Sequence, residues 1–183
     1  MIILKKIYII RHCEAEGQHS EAQLTEKGFA QSLQLSDFFS STPIDQIISS
    51  PYKRAIQSVQ PLAKRLHIEI DFNNLLTERV LSTNNLTDWL EKLKATYDDL
   101  ELKFEGGESS QEAMERIVTV VEEVFNSEYE NIIIVTHGNI MSLLLKYYND
   151  NFGFDEWKNL SNPDIYLLQN QDNNVSFERL WNQ

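Results

Sequence analysis

The feature that most constrains the fold is an unbroken apolar run, Ile132-Ile133-Ile134-Val135, that stops abruptly at Thr136-His137-Gly138-Asn139. Four consecutive β-branched residues without polar alternation read as a strand buried on both faces, the environment at the centre of a parallel sheet. A second run, Lys6–Ile10, stops just as sharply at Arg11-His12. A third, Ile44–Ile48, gives way to Ser49-Ser50-Pro51 and then to Arg54. Parallel strands must be joined by long crossovers, usually helical, so the runs predict helices between them.

The intervening sequence supplies those helices. Leu24-Thr25-Glu26-Lys27-Gly28 is a helix start with Thr25 as N-cap, followed by an amphipathic stretch to about Phe39 and a break at Pro43. Pro51 suits the first turn of a helix running through Arg54 and Val59 toward Leu66, and Pro61 is expected to kink or split it. Ile68–Phe72 reads as a further short strand. Leu86–Leu100 is expected to be helical, with Leu86, Trp89, Leu90 and Leu93 at helical spacing, and Ser109–Asn126 more strongly so. A last helix covers about Ile140–Tyr148, and Ile165–Gln169 with Val175–Trp181 reads as a hairpin. Without repeats, low-complexity stretches or a linker, residues 1–183 are expected to form one domain. The predicted fold class is α/β: a three-layer α/β/α sandwich with a mainly parallel central sheet.

Composition narrows the function. With 42% apolar and 24% charged residues, the chain has the balance of an ordinary globular protein. A single cysteine, Cys13, leaves no internal disulfide and no cysteine-based metal cluster, which fits a reducing, cytoplasmic setting. The segment Met1–Lys6 and the short apolar run after it do not make a signal peptide or a membrane span. A formal net charge of −12 argues against nucleic acid as a partner. It also makes any local cluster of arginine and histidine more informative, since the cluster stands against the prevailing field.

Such a cluster is implied by the strand ends. In open α/β sheets, ligands bind at the carboxyl edge of the strands, and His12 and His137 are delivered to that edge by two strands. The third strand leads to Arg54 on the first turn of a helix, and Arg11 precedes His12. Taken singly, each residue reads as a structural histidine or a charged turn. Two arginines and two histidines converging from three strands make a pocket for a dense anion, and phosphate suits planar guanidinium groups.

The motifs carry a resemblance. Ile9-Ile10-Arg11-His12-Cys13-Glu14 resembles the strand and RHG element of the histidine phosphatase superfamily, which includes the cofactor-dependent phosphoglycerate mutases. Leu24–Gly28 resembles that family's leucine–threonine–x–x–glycine helix start, and Ser49–Ser58 its second arginine motif. Leu76-Thr77-Glu78 is similar to the segment bearing its acid, Gly106-Gly107-Glu108-Ser109 to its glycine–glutamate helix start, and Val135–Gly138 to its second histidine. Six landmarks in family order imply a phosphoglycerate mutase-like fold.

The resemblance implies a histidine acid–base phosphatase with His12 as nucleophile. Its second ring nitrogen should donate to a fixed acceptor such as a backbone carbonyl. Arg11, Arg54 and His137 would hold the phosphoryl oxygens, with Gln18 a further substrate contact where the family has asparagine. Glu78 would be the general acid, ahead of Asp71 and Glu108; Glu108 would instead help fix the site from its helix start. No cofactor and no metal is implied, because the arginines supply the positive charge. Two departures stand out: Cys13 replaces the family glycine, and Ala15–Gln23 lacks the usual tryptophan–asparagine pair. Cys13 reads first as a small residue that packs; a catalytic thiol is the sharper reading, but no Cys-x5-Arg loop follows it.

The expected activity is hydrolysis of phosphomonoesters through a covalent phosphohistidine, on a small phosphorylated metabolite or another monoester. The alternatives are mutase-type phosphoryl transfer and a catalytically silent phosphate-binding module. Only Arg79–Glu105 separates the acid from the glycine–glutamate landmark, and the chain ends at Asn182-Gln183 beside a strand, features that favour an open, water-accessible site. Arg79 and Lys53 would favour an additional anionic group on the substrate.

Overall fold

The computed structural model describes residues 4–182. Met1, Ile2, Ile3 and Gln183, which fall in the terminal segments considered above, lie outside the described residues. A six-stranded sheet runs in the order β3-β2-β4-β1-β5-β6. Its strands are β1 Lys6–Arg11, β2 Gln46–Ser49, β3 Ile70–Phe72, β4 Asn131–Thr136, β5 Asp164–Gln171 and β6 Asn174–Arg179. β3, β2, β4 and β1 are mutually parallel, and β5 and β6 complete the sheet as an antiparallel hairpin.

Alternation along the central strands builds two cores. Ile7 and Ile9 of β1 and Ile132 and Ile134 of β4 pack with α4 Ser110–Phe125 and α5 Gly138–Tyr148, alongside α3 Trp89–Asp98. Tyr8, Ile10, Ile133 and Val135 face the opposite way, against α1 Glu26–Phe38 and α2 Lys53–Leu66. The expected three layers and mainly parallel sheet are therefore observed. Helix starts behave as the sequence indicates: Thr25 accepts from the Gly28 amide, and Ser109 and Glu112 form a reciprocal capping box. A short helix, α6 Phe154–Lys158, precedes the hairpin.

Four expectations need correction. α2 runs unbroken through Pro61. An interior proline costs about 3 kcal/mol, but Val59, Leu62 and Ala63 are buried around it, and burial of an aliphatic side chain contributes roughly 1.5–3 kcal/mol. α3 begins at Trp89, not Leu86, and only Leu93 of the expected stripe is buried, because the first part of the pattern faces an open cleft. β3 is confined to Ile70–Phe72. The hairpin turns at Asp172-Asn173, both with positive φ (52° and 63°), which fits a two-residue turn between twisted strands; it extends β5 beyond Gln169 to Gln171, while β6 ends at Arg179, short of Trp181.

Candidate active site

Register brings the two histidines together. β1 pairs with β4 so that Ile10 lies opposite Val135 and Arg11 opposite Thr136, and the His12 amide continues the ladder to the Thr136 carbonyl at 3.1 Å. His12 and His137 therefore leave adjacent strands at the same level, with ring centroids 5.1 Å apart. Both are buried.

His12 is fixed at both nitrogens. Nδ1 lies 2.7 Å from the Cys13 carbonyl oxygen, which can only accept, so Nδ1 carries the proton. Nε2 is then the bare nitrogen, and it accepts from Nε–H of Arg54 at 3.2 Å. Burial, with the charges of Arg54 and Arg11 adding to it, lowers the His12 pKa from 6.5 to about 3. The ring is thus neutral across the physiological range. Asn162 holds the backbone from behind, its Nδ2 donating to the His12 carbonyl at 2.8 Å.

Arg54 is fully buried in the first turn of α2. Its Nη1 donates to the His19 carbonyl at 2.8 Å, its guanidinium lies 5.1 Å from the Tyr52 ring centroid, and Nη2 has no partner. Arg11 donates through Nη1 to the Leu160 carbonyl at 3.2 Å, and its Nε is likewise free. The guanidinium of Arg11 crosses Gly138 so closely that a Cβ there would lie 2.8 Å from Cζ, so a larger residue at this position would push the guanidinium aside. His137 contacts the Ser50 hydroxyl through Nε2 at 2.8 Å, leaving Nδ1 buried and unpartnered. Burial first, then His12 and the arginines, puts the His137 pKa well below its usual value. A donor on each of Arg11 and Arg54, and Nδ1 of His137, therefore lack protein partners. An oxyanion would satisfy them.

Glu78 follows the short helical turn Asn74–Leu76 and reaches the N-terminus of α5. Oε1 accepts from the amides of Arg79 (2.8 Å) and Ile140 (2.9 Å), and Oε2 from Asn139 (3.0 Å). It shares a cleft with Arg11 and Gln18. Gln18 is exposed at this mouth. Glu108 is held by Arg116, whose guanidinium also donates to the carbonyls of Leu75, Thr77 and Glu78; it braces the Glu78 segment from the start of α4. Asp71 lies on edge strand β3, accepting from Gln46, and does not line the cleft; nor does Lys53.

Cys13 has no positive φ, so the position does not require glycine. Its thiol is buried, and burial pushes its pKa up to about 12, opposite to what a thiolate nucleophile needs. Its amide donates to Ser58 at 2.8 Å. Sequence reasoning did not single out Ser50, Tyr52, His19 or Asn162. Ser50 and Tyr52 belong to the Ser49–Ser58 motif and were legible there; the His19 carbonyl and Asn162 act through contacts that no local pattern encodes. Among the described residues, no three or more His, Cys, Asp or Glu side chains are grouped to hold a metal ion, and no helix is long and apolar enough to cross a membrane.

Comparison with known proteins bears on the family and the fold. In sequence the chain is 25% identical over 158 residues to a protein of Hydrogenobacter thermophilus named "Putative phosphoserine phosphatase 2", covering 78% of this chain and 77% of that protein. In structure it is similar to a phosphoserine phosphatase of Entamoeba histolytica solved with 3-phosphoglyceric acid (TM-score 0.80, 18% identity, 98% of each chain). It is also similar to a mycobacterial glucosyl-3-phosphoglycerate phosphatase (TM-score 0.77, 19% identity, 96% of this chain and 97% of that one). The α-ribazole phosphatase of Shigella flexneri shares the fold as well (TM-score 0.76, 17% identity, 96% of this chain and 95% of that one). The model of the histidine phosphatase superfamily (branch 1) matches residues 7–183, and the chain belongs to that family.

Proposed function

We propose that the chain hydrolyses phosphomonoesters through a covalent phosphohistidine on His12, as a single catalytic unit. The observation that carries this reading is the unprotonated Nε2 of His12, fixed in its tautomer and contacted by Arg54, whose Nη2 has no protein partner. Relatives in the family act on phosphoserine and glucosyl-3-phosphoglycerate, which supports a small phosphorylated metabolite as substrate.

In the first step Nε2 of His12 attacks phosphorus and the P–O bond to the leaving group breaks, with Arg11, Arg54 and His137 holding the three non-bridging oxygens. Glu78 protonates the departing alkoxide. In the second step water attacks the phosphohistidine, Glu78 takes its proton, and inorganic phosphate leaves with His12 restored. The contacts of Glu78 are compatible with that role: a protonated Oε2 keeps a lone pair for the Asn139 amide while its O–H serves the leaving oxygen, and both bonds to Oε1 remain. Positive charge comes from arginine, and activity is expected to withstand EDTA. The single buried Cys13 supports a reducing, cytoplasmic setting.

The test is to mix enzyme with a phosphomonoester, quench at alkaline pH within the first turnover, and map the phosphate by mass spectrometry. Acid-labile phosphate on His12 is expected; label on Cys13, or none while turnover proceeds, would overturn the reading.

A further inference from the structure

Beyond the phosphate subsite, the cleft that begins at Arg11 and Glu78 continues to a volume of about 670 Å³. A phosphoryl group is on the order of a few waters in size, at ~30 Å³ each, and leaves most of that space to the rest of the substrate. The continuation is walled by Val80, Leu81, Leu86, Trp89, Leu93 and Trp157. Ser82, Asn84 and Asn85 add uncharged hydrogen-bonding groups.

Among the described residues, Arg11, Glu78 and Arg79 are the arginine, lysine and carboxylate side chains lining the cleft, and the one histidine there, His19, lies on the same segment as Gln18. Arg79 is buried, with 6% of its surface exposed, and is committed away from the outer wall. Its Nε donates to the Glu108 carbonyl, and Nη1 to Thr96, Ser110 and Asn139, tying the Glu78 segment to α3, α4 and α5; only Nη2 lacks a partner. A second phosphate beside Val80, Leu86 and Trp89 would meet no lysine or arginine among the described lining residues, in a chain whose net charge is already −12.

The outer wall offers aromatic surface instead. Trp89 is 50% exposed and Val80 42%, next to half-buried Leu81, Leu86 and Trp157 and buried Leu93. A half-exposed indole at the mouth of a reactive cleft, with amides beside it, suits the face of a ring better than a short polar chain.

We propose that this continuation is the leaving-group subsite, that it takes an uncharged, ring-bearing alcohol, and that Trp89 is its specificity-determining side chain. The inference rests on the phosphatase reading. Phenethyl phosphate and ethyl phosphate test it, since both expel an alkoxide and differ chiefly in the ring. Wild type should show a kcat/KM roughly tenfold higher for phenethyl phosphate, the size of one aromatic stacking contact. Trp89→Ala should erase that ratio mainly through KM, and Trp89→Phe should restore most of it. Equal kcat/KM in the wild type, or a ratio that survives in Trp89→Ala, overturns the assignment of the subsite while leaving the phosphatase reading intact. A preference for O-phosphoserine over phenethyl phosphate that disappears in Arg79→Gln overturns it in favour of a carboxylate held by the free Nη2 of Arg79. Failure to hydrolyse any of these esters removes the phosphatase reading and the inference with it.

Discussion

The Nε–H of Arg54 donates to Nε2 of His12 across 3.2 Å, so the arginine that would bind phosphate also occupies the lone pair that would attack it. On the proposed mechanism an incoming phosphoryl group takes that hydrogen bond for itself, which frees Nε2 in the act of binding. Lysine preserves the charge but lacks the planar fork. Arg54→Lys is expected to lower kcat/KM for a phosphomonoester by roughly hundredfold, comparable to deleting one preorganised donor. Full activity would place Arg54 outside the phosphate subsite.

Loss of the proposed nucleophile should be more severe. His12→Ala is expected to reduce turnover of p-nitrophenyl phosphate by several orders of magnitude and to leave no acid-labile phosphoenzyme. Substantial residual turnover with normal kinetics would transfer the role to another group.

The assignment of Glu78 as acid is tested by leaving-group dependence. Glu78→Gln keeps size and polarity but supplies no proton. The pre-steady-state burst should slow strongly with an alkyl phosphate and only modestly with p-nitrophenyl phosphate, whose phenolate needs little help. Equal slowing would mean that Glu78 chiefly anchors the start of α5 through its bonds to the Asn139 and Ile140 amides.

The His12 pKa also predicts a pH dependence of stability. Held neutral in the fold with a pKa of about 3 against 6.5 when unfolded, His12 binds its proton more readily in the unfolded chain. Its contribution is fully present above pH 6.5 and is lost as pH falls from there toward about 3. His137 acts with the same sign. In phosphate-free buffer, the urea midpoint of the wild type should therefore fall more steeply over this window than that of His12→Asn. Parallel slopes would show that the ring is not held neutral.

Cys13 gives a contrasting expectation. With its thiol buried and its pKa raised to about 12, Cys13→Ala should keep activity within about threefold while lowering stability by about 1 kcal/mol. Native protein should resist alkylation by iodoacetamide. Rapid alkylation coupled to loss of activity would contradict the buried, protonated state.

How much of this was legible in the chain depends on the range over which each signal acts. Strand and helix identity is written in local periodicity, so Ile132–Val135, Lys6–Ile10 and the Thr25 and Ser109 caps were readable residue by residue. The carboxyl-edge rule then led from strand ends to His12, His137, Arg11 and Arg54 without knowledge of register. Local rules misled where tertiary burial or exposure outweighs propensity. Pro61 stays inside α2 because its neighbours are buried, and Leu86 and Trp89 follow a helical spacing yet line a cleft. What only the tertiary structure decided are contacts between residues distant in sequence: Arg54 on His12, Ser50 on His137, and the α5 amides on Glu78. Hydrogen-bond partners at such separations are chosen by the packing of whole elements. The chain by itself named the groups that converge at the candidate site; the assembled sheet and helices set the tautomer of His12, the burial that keeps it neutral, and the shape of the space beyond it.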